Sequence, residues 1–235
     1  MAAEPPPPPA GPPPPPAGGE SGPSMRTPDL LSAVCHDLKD PLASIVMGAG
    51  FLRRTLSAED QTAQRVVDAI HRAAERMSQL ITNFSDLARI ERRELVLEKR
   101  PHDVGAIVTA AFEQLGIDAS VQGVPLSLEL GERQPTVACD HRRVLQILRH
   151  LGTAALSVVP EGGSITVSST GASGGARVEV VAKRRPGPAS RRIIAEPPRP
   201  ALALAEGLIE LHGGKLTVSG DGDSLVLGFL LPDRP

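Results

Sequence analysis

Apolar residues at Leu31, Val34, Leu38, Leu42, Ile45, Ala49, Leu52 and Leu56 recur in steps of three and four. That spacing places them on one face of a helix. Thr27 followed by Pro28 supplies a cap and a first-turn proline, so the helix is expected to start there. Ser57-Ala58-Glu59-Asp60 reads as a turn and a second cap. The next helix carries Val67, Ile70, Ala74, Met77, Ile81, Phe84 and Ala88 in strict three-four alternation, the seam of a coiled-coil-like bundle. Two helices make a thin core. Pairing of two such hairpins into four helices buries the seam fully, so a homodimer is expected.

The helical pattern ends near Glu94, and a short apolar run, Leu95–Leu97, leads into Arg100-Pro101. A helix is expected from Asp103 to Leu115 with Asp103 as cap, then a strand over Leu126–Leu130. Asp140 is placed to cap a helix reaching about Val158. Pro160-Glu161-Gly162-Gly163 reads as a turn between that helix and strands Ser164–Ser169 and Arg177–Ala182. A helix over Ala201–His212 stops at Gly213-Gly214, and strands Lys215–Ser219 and Ser224–Leu230 close the pattern. Helices mixed with hairpin strands in this way indicate an α+β layer, not a doubly wound parallel sheet.

Composition adjusts this picture in three places. Residues 1–26 hold 11 of the 24 prolines, in runs Pro5–Pro9 and Pro12–Pro16; such a segment forms extended polyproline but buries no core, so a disordered tail or spacer is expected. Net charge is −2 and only four aromatic residues occur, Phe51, Phe84, Phe112 and Phe229, which argues against a nucleic-acid partner. No apolar run approaches the roughly 20 residues that span a bilayer, and no charged-then-apolar leader opens the sequence. With two isolated cysteines, Cys35 and Cys139, and no metal-ligand spacing, this suggests a reducing cytoplasm, no membrane partner and no metal centre.

The candidate chemistry lies in Val34-Cys35-His36-Asp37-Leu38-Lys39-Asp40-Pro41-Leu42. His36 falls off the apolar seam. Asp37 beside it can orient the imidazole and take part in proton transfer, making His36 a candidate nucleophile. Pro41 lies inside a strong helical pattern and removes the N–H partner of the residue 37 carbonyl. An isolated surface histidine would be unremarkable; the pattern around His36 is more specific.

The order His, acid, Leu, base, polar residue, Pro, Leu resembles the phosphoacceptor box of two-component histidine kinases. The second helix matches the same family in Arg76-Met77-Ser78-Gln79-Leu80-Ile81 and Asp86-Leu87-Ala88-Arg89-Ile90-Glu91. Residues 27–98 therefore resemble the HisKA-type dimerisation and histidine phosphotransfer domain. The resemblance implies that His36 is the phosphoacceptor, Asp37 its acid–base partner, and Lys39, Asp40 and Pro41 parts of the same box. Asp40 stands where the family carries Thr or Asn, the group that positions water for dephosphorylating a partner.

Residues 99–235 resemble the ATP-binding domain of the same family, of GHKL type. Arg143, Gln146, Leu148, Leu151, Pro160, Glu161, Gly162, Gly163 and Ile165 suit its Asn-bearing helix and following turn, and Leu208-Ile209-Glu210-Leu211-His212-Gly213-Gly214 suits its last helix. The resemblance thus implies a helical hairpin, a four-helix bundle as a dimer, followed by an α/β sandwich of the histidine kinase ATPase type. The nucleotide positions depart from the family. Ala154 replaces the Mg²⁺-binding Asn, and His150 replaces a nearby Asn; alanine offers no oxygen to a hard cation. The adenine-binding Asp loop reads Lys183-Arg184-Arg185-Pro186-Gly187, and a cation accepts no hydrogen bond. The second Gly-rich loop reads Arg199-Pro200-Ala201-Leu202-Ala203, and the lid between the two loops is reduced to about ten residues around Ile193-Ile194. No bound ATP or magnesium is therefore expected.

The expected function is phosphotransfer, with His36 carrying phosphoryl between response-regulator receiver domains. An active ATP-dependent sensor kinase with a divergent nucleotide site is the alternative, and a non-catalytic dimeric scaffold is a third. The basic cluster Lys183, Arg184, Arg185, Arg191 and Arg192 is either a solvated loop or a contact for an acidic partner.

Overall fold

The computed structural model describes residues 27–56, 60–185, 197 and 199–233, and for residues 27–34, 36 and 199–201 it describes the backbone only. The Pro-rich segment, the turn residues 57–59 and the expected lid lie outside the described residues. Helices α1 (Thr27–Thr55) and α2 (Gln61–Glu91) form an antiparallel hairpin. α1 runs through Pro41 without interruption. Asp60 caps α2 by accepting from the Ala63 N–H at 3.0 Å.

The expected α2 seam divides into two stripes. Val67, Ala74, Ile81 and Ala88, seven residues apart, are buried against α1, whereas Ile70 (46% exposed), Met77 (53%) and Phe84 (49%) are not. α1 repeats the division: Cys35, Leu42 and Ala49 are buried, and Leu38, Ile45 and Leu52 are about half exposed. One heptad position thus packs inside the hairpin and the other faces outward on both helices. An ion pair between Arg53 and Asp68 at 3.4 Å marks the antiparallel register. Carried along the hairpin, it brings the His36 backbone level with Ser85 and Asp86.

The remainder is one α/β layer pair. Strand β1 (Arg100–Asp103) leads into α3 (Val104–Val121), β2 (Leu126–Leu130), β3 (Thr136–Cys139) and α4 (His141–Val158). β4 (Ser164–Ala172), β5 (Gly175–Lys183), α5 (Arg199–Leu211), β6 (Leu216–Gly220) and β7 (Ser224–Pro232) follow. Five strands form a mixed sheet in the order β2-β4-β5-β7-β6, in which only β2 and β4 run parallel. The α+β architecture agrees with the sequence pattern. The small β1–β3 ladder was not expected from it.

Helices α3, α4 and α5 cover one face of the sheet. Ile107, Ile147, Leu151, Ile165, Leu208, Leu227 and Phe229 are all under 3% exposed and meet in one core. Among the described residues only α3 is long and apolar enough to cross a membrane by length and composition; here Val104, Ile107, Val108, Ala111 and Leu115 are buried in this core. Leu95 and Leu97, directly after α2, also pack into it.

Candidate functional site

His36 occupies α1 between a buried residue, Cys35, and the exposed run Asp37, Leu38, Lys39, Asp40 and Pro41. The Ser44 hydroxyl back-bonds to the Asp40 carbonyl one turn earlier at 3.1 Å. The expected box is thus a helical segment in which Asp37, Lys39 and Asp40 are exposed.

Opposite this level, α2 carries a buried carboxylate. Asp86 is 6% exposed. Its Oδ2 accepts from Arg143 Nη1 at 2.6 Å and from Gln146 Nε2 at 3.0 Å, and Arg143 Nη1 also donates to Gln146 Oε1 at 2.7 Å. Both partners sit on one face of α4, three residues apart. A buried charge requires such pairing. Arg143, Gln146 and Asp86 were each recognised in the sequence as fitting a pattern, but their junction was not foreseen. The available signal was an acid at the core-facing edge of the α2 stripe.

Two clefts flank this junction between α2 and α4. One, of about 570 Å³, is lined by Thr82, Asp86, Arg89, Arg142, Arg143 and Gln146 among others. The second, of about 720 Å³, has α2 residues Arg76, Leu80 and Phe84 facing Arg149, His150 and Ala154. His150 Nε2 is buried without a hydrogen-bond partner. Burial, with Arg149 adding to it, pushes the His150 pKa down to about 4, so the ring is neutral. Ala154 presents only a methyl group and is 3% exposed. These two positions supply no oxygen ligand, and Mg²⁺ takes oxygen ligands in octahedral geometry. The residues present do not fit a metal–nucleotide site of the usual kind.

The other expected nucleotide positions scatter. Lys183 ends β5, exposed, opposite Ser224. Arg184 pairs with Asp223 at 2.5 Å, so part of the basic cluster is already engaged within the chain. Arg199 and Ala201 open α5. Gly187, Arg191 and Arg192 lie outside the described residues.

At the N-terminal end of α4, Asp140 anchors several segments. Its Oδ1 accepts from the Arg142 and Arg143 N–H groups, and its Oδ2 from the Glu98 N–H at 3.0 Å. His212, 3% exposed, accepts the Asp140 N–H on Nε2. Its Nδ1 donates to the Leu208 carbonyl at 2.7 Å, because a carbonyl can only accept. Burial lowers the His212 pKa, which keeps this tautomer neutral.

With this geometry in hand, comparison with known proteins gives a consistent result. Residues 29–93 match the His Kinase A (phospho-acceptor) domain. The sensor protein DivL of Caulobacter vibrioides is 29% identical over 202 residues, 82% of this chain but 26% of DivL. The structure of full-length ShkA in complex with AMPPNP superposes with a TM-score of 0.66 at 22% identity, covering 88% of this chain and 46% of ShkA.

Over most of its length this chain is similar to two-component histidine kinases.

That likeness extends over both the hairpin and the α/β fold after it. A further structure, histidine kinase ThkA in complex with the response regulator protein TrrA, shares the fold at TM-score 0.55 and 18% identity, over 88% of this chain and 61% of that one. The chain spans about a quarter of DivL's length.

Proposed function

We propose that this histidine kinase-like chain is a phosphotransfer protein of two-component signalling. His36 takes a phosphoryl group from the aspartyl phosphate of one receiver domain, the P–O bond to that aspartate breaking as the bond to the imidazole nitrogen forms. A second receiver's aspartate then accepts the group by the reverse step. Asp37, adjacent in the helix, orients the ring and takes up its proton as general base. The single observation that carries the reading is the pair His150 and Ala154. A half-buried imidazole whose Nε2 has no hydrogen-bond partner, and a methyl group, stand where the family resemblance puts oxygen-bearing side chains.

Two copies complete the hairpin in this reading. Leu38, Ile45, Leu52, Ile70, Met77 and Phe84 lie half exposed along one heptad position of both helices. Covering them gains on the order of 1 kcal/mol per side chain, half the value for full burial. The solved structure of ThkA is a complex with the response regulator protein TrrA, which supports receivers as the partners here. Two free cysteines, both buried, suit the cytoplasm in which such relays work.

A second reading, an ATP-dependent sensor kinase, is supported by the names of the relatives. Titration with Mg-ATP separates the two. A nucleotide at a hundredfold excess over its dissociation constant stabilises a protein by about 2.7 kcal/mol. The phosphotransfer reading expects an unchanged melting temperature; a clear rise together with ATP-derived label on His36 would establish the kinase.

A further inference from the structure

The cleft of about 570 Å³ where α2, α3 and α4 meet holds more positive charge than the chain itself uses. Four guanidinium groups line it, Arg89 from α2 and Arg142, Arg143 and Arg149 from α4. Arg143 is engaged by Asp86 and Gln146. The guanidinium groups of Arg89, Arg142 and Arg149 make no ion pair among the described residues. The acids of the same lining are largely occupied. Asp86 accepts from Arg143 and Gln146, and Asp140 accepts the N–H groups of Glu98, Arg142 and Arg143. Glu98 is the remaining carboxylate, and it is exposed. Unpaired cations around one concavity repel one another and concentrate anions there. The field of Arg149 already reaches its neighbour, where it helps to lower the His150 pKa.

The position of this cleft sets it apart from the dimer stripe and from the compared nucleotide positions. At about 100° per residue, Thr82, Asp86 and Arg89 lie on the side of α2 opposite Ile70, Met77 and Phe84. Covering the outward stripe therefore leaves the cleft open. His150 and Ala154 line the other cleft, not this one. Arg142 and Arg149 are seven residues apart, two turns along one face of α4 and about 10 Å along its axis. Arg89 faces the cleft from the opposite wall, on α2. Guanidinium forks on two walls suit phosphate oxygens, which accept paired N–H bonds. The volume lies in the range of small-molecule sites and leaves room beyond one phosphate. Much of the remaining lining is polar. The Gln114 amide is exposed and offers both a donor and an acceptor, and Glu98 accepts hydroxyl protons. Among the described residues only Val96 and Leu145 add apolar side chains, and no aromatic ring lines the cleft.

We infer that this cleft binds a small soluble phosphate ester with a hydroxylated body, the phosphate held by Arg89, Arg142 and Arg149 and the hydroxyls by Gln114 and Glu98. A nucleobase finds no ring or apolar slot here, and magnesium masks the phosphates of Mg-ATP, so Mg-ATP is not this ligand. The site makes no use of His36 and stands or falls apart from the phosphotransfer reading.

The test is titration calorimetry on the full chain with inorganic phosphate, pyrophosphate and glucose 6-phosphate, in magnesium-free buffer of constant ionic strength. Saturable binding of one molecule per chain is expected, with glucose 6-phosphate tighter than inorganic phosphate. Arg89→Gln, Arg142→Gln and Arg149→Gln are each expected to weaken pyrophosphate binding about tenfold, the usual order for a lost charge-assisted hydrogen bond. Arg76→Gln, on the same helix as Arg89 but lining the other cleft, is expected to bind as the unsubstituted chain does. Gln114→Ala is expected to weaken glucose 6-phosphate and leave pyrophosphate unchanged. Circular dichroism checks folding, and with three arginine variants one that fails to fold leaves two to decide. Vesicles containing phosphatidylglycerol test a lipid headgroup as the source of the phosphate; the chain is expected to stay in the supernatant. No binding, or binding weakened as much by Arg76→Gln as by the cleft variants, overturns the site. Glucose 6-phosphate no tighter than inorganic phosphate overturns the hydroxylated body. Sedimentation with the vesicles that the arginine variants abolish overturns the soluble ligand in favour of a lipid.

Discussion

Phe229 and Phe84 are the same side chain in two different situations. Phe229 lies in the middle of β7, 2% exposed, with Leu216 opposite it in the sheet and three helices above. Phe84 lies on α2, 49% exposed, in a stripe of equally uncovered residues. The α/β domain completes its own core; the hairpin buries one heptad position and leaves the other for a partner. The chemistry divides along the same line. The hairpin carries the His-Asp pair and the proline that follows, while in the domain His150 and Ala154 offer no oxygen at two of the expected nucleotide positions.

The largest effect expected from this contrast is on assembly. Placing Asp at both Ile70 and Met77 puts charges into the uncovered stripe, and burying an unpaired charge is prohibitive. A sizing column should then show monomers, while the melting transition of the α/β domain stays in place. A dimer that survives both charges would show that the stripe is not the contact.

The reverse substitution, Phe229→Ala, should cost the α/β domain about 3–5 kcal/mol by cavity formation and lost burial, measured by chemical denaturation, with dimerisation intact. Phe84→Ala on the monomeric background should cost far less. Equal losses at the two positions would erase the contrast.

A smaller effect is expected with pH. His150 and His212 both have folded-state pKa values lowered by burial. The unfolded chain therefore binds protons that the folded one refuses. Stability is full above about pH 6.5, the unperturbed value, and falls as pH drops through the window down to about 4, where His150 titrates. The His150 share is at most roughly 3 kcal/mol. Denaturation midpoints in His150→Gln should show a shallower fall over that window; an unchanged slope would mean that His150 is not buried as a neutral ring.

Much of the fold was legible because it is written locally. Asp103 and Asp140 are helix caps at the places where an acid precedes an apolar run, and both accept the expected backbone N–H groups. Strands β4, β5 and β7 follow from alternation and turn residues. The β1–β3 ladder was not legible. It has four residues a side and contains Pro101, so neither length nor composition announces it. The α2 seam was read as one stripe because sequence period alone does not say which neighbour covers which position. Of the candidate site, the His36 box was legible as a motif, but the Asp86–Arg143 junction joins residues 57 positions apart, and no local pattern reports a contact of that range. His212, paired through Nε2 with the Asp140 backbone, was read only as part of a helix end for the same reason.

The central claim is that phosphoryl reaches His36 from a receiver domain and not from ATP. The direct measurement incubates the full chain with a labelled, phosphorylated receiver in one arm and with labelled Mg-ATP in another, comparing the unsubstituted chain with His36→Gln and Asp37→Ala. Acid-labile label is expected from the receiver alone, abolished in His36→Gln with fold and dimer intact. In Asp37→Ala it is slowed by roughly 10²- to 10⁴-fold, the usual loss of acid–base help. Label that persists in His36→Gln, or that arrives from ATP and not from the receiver, would contradict the account.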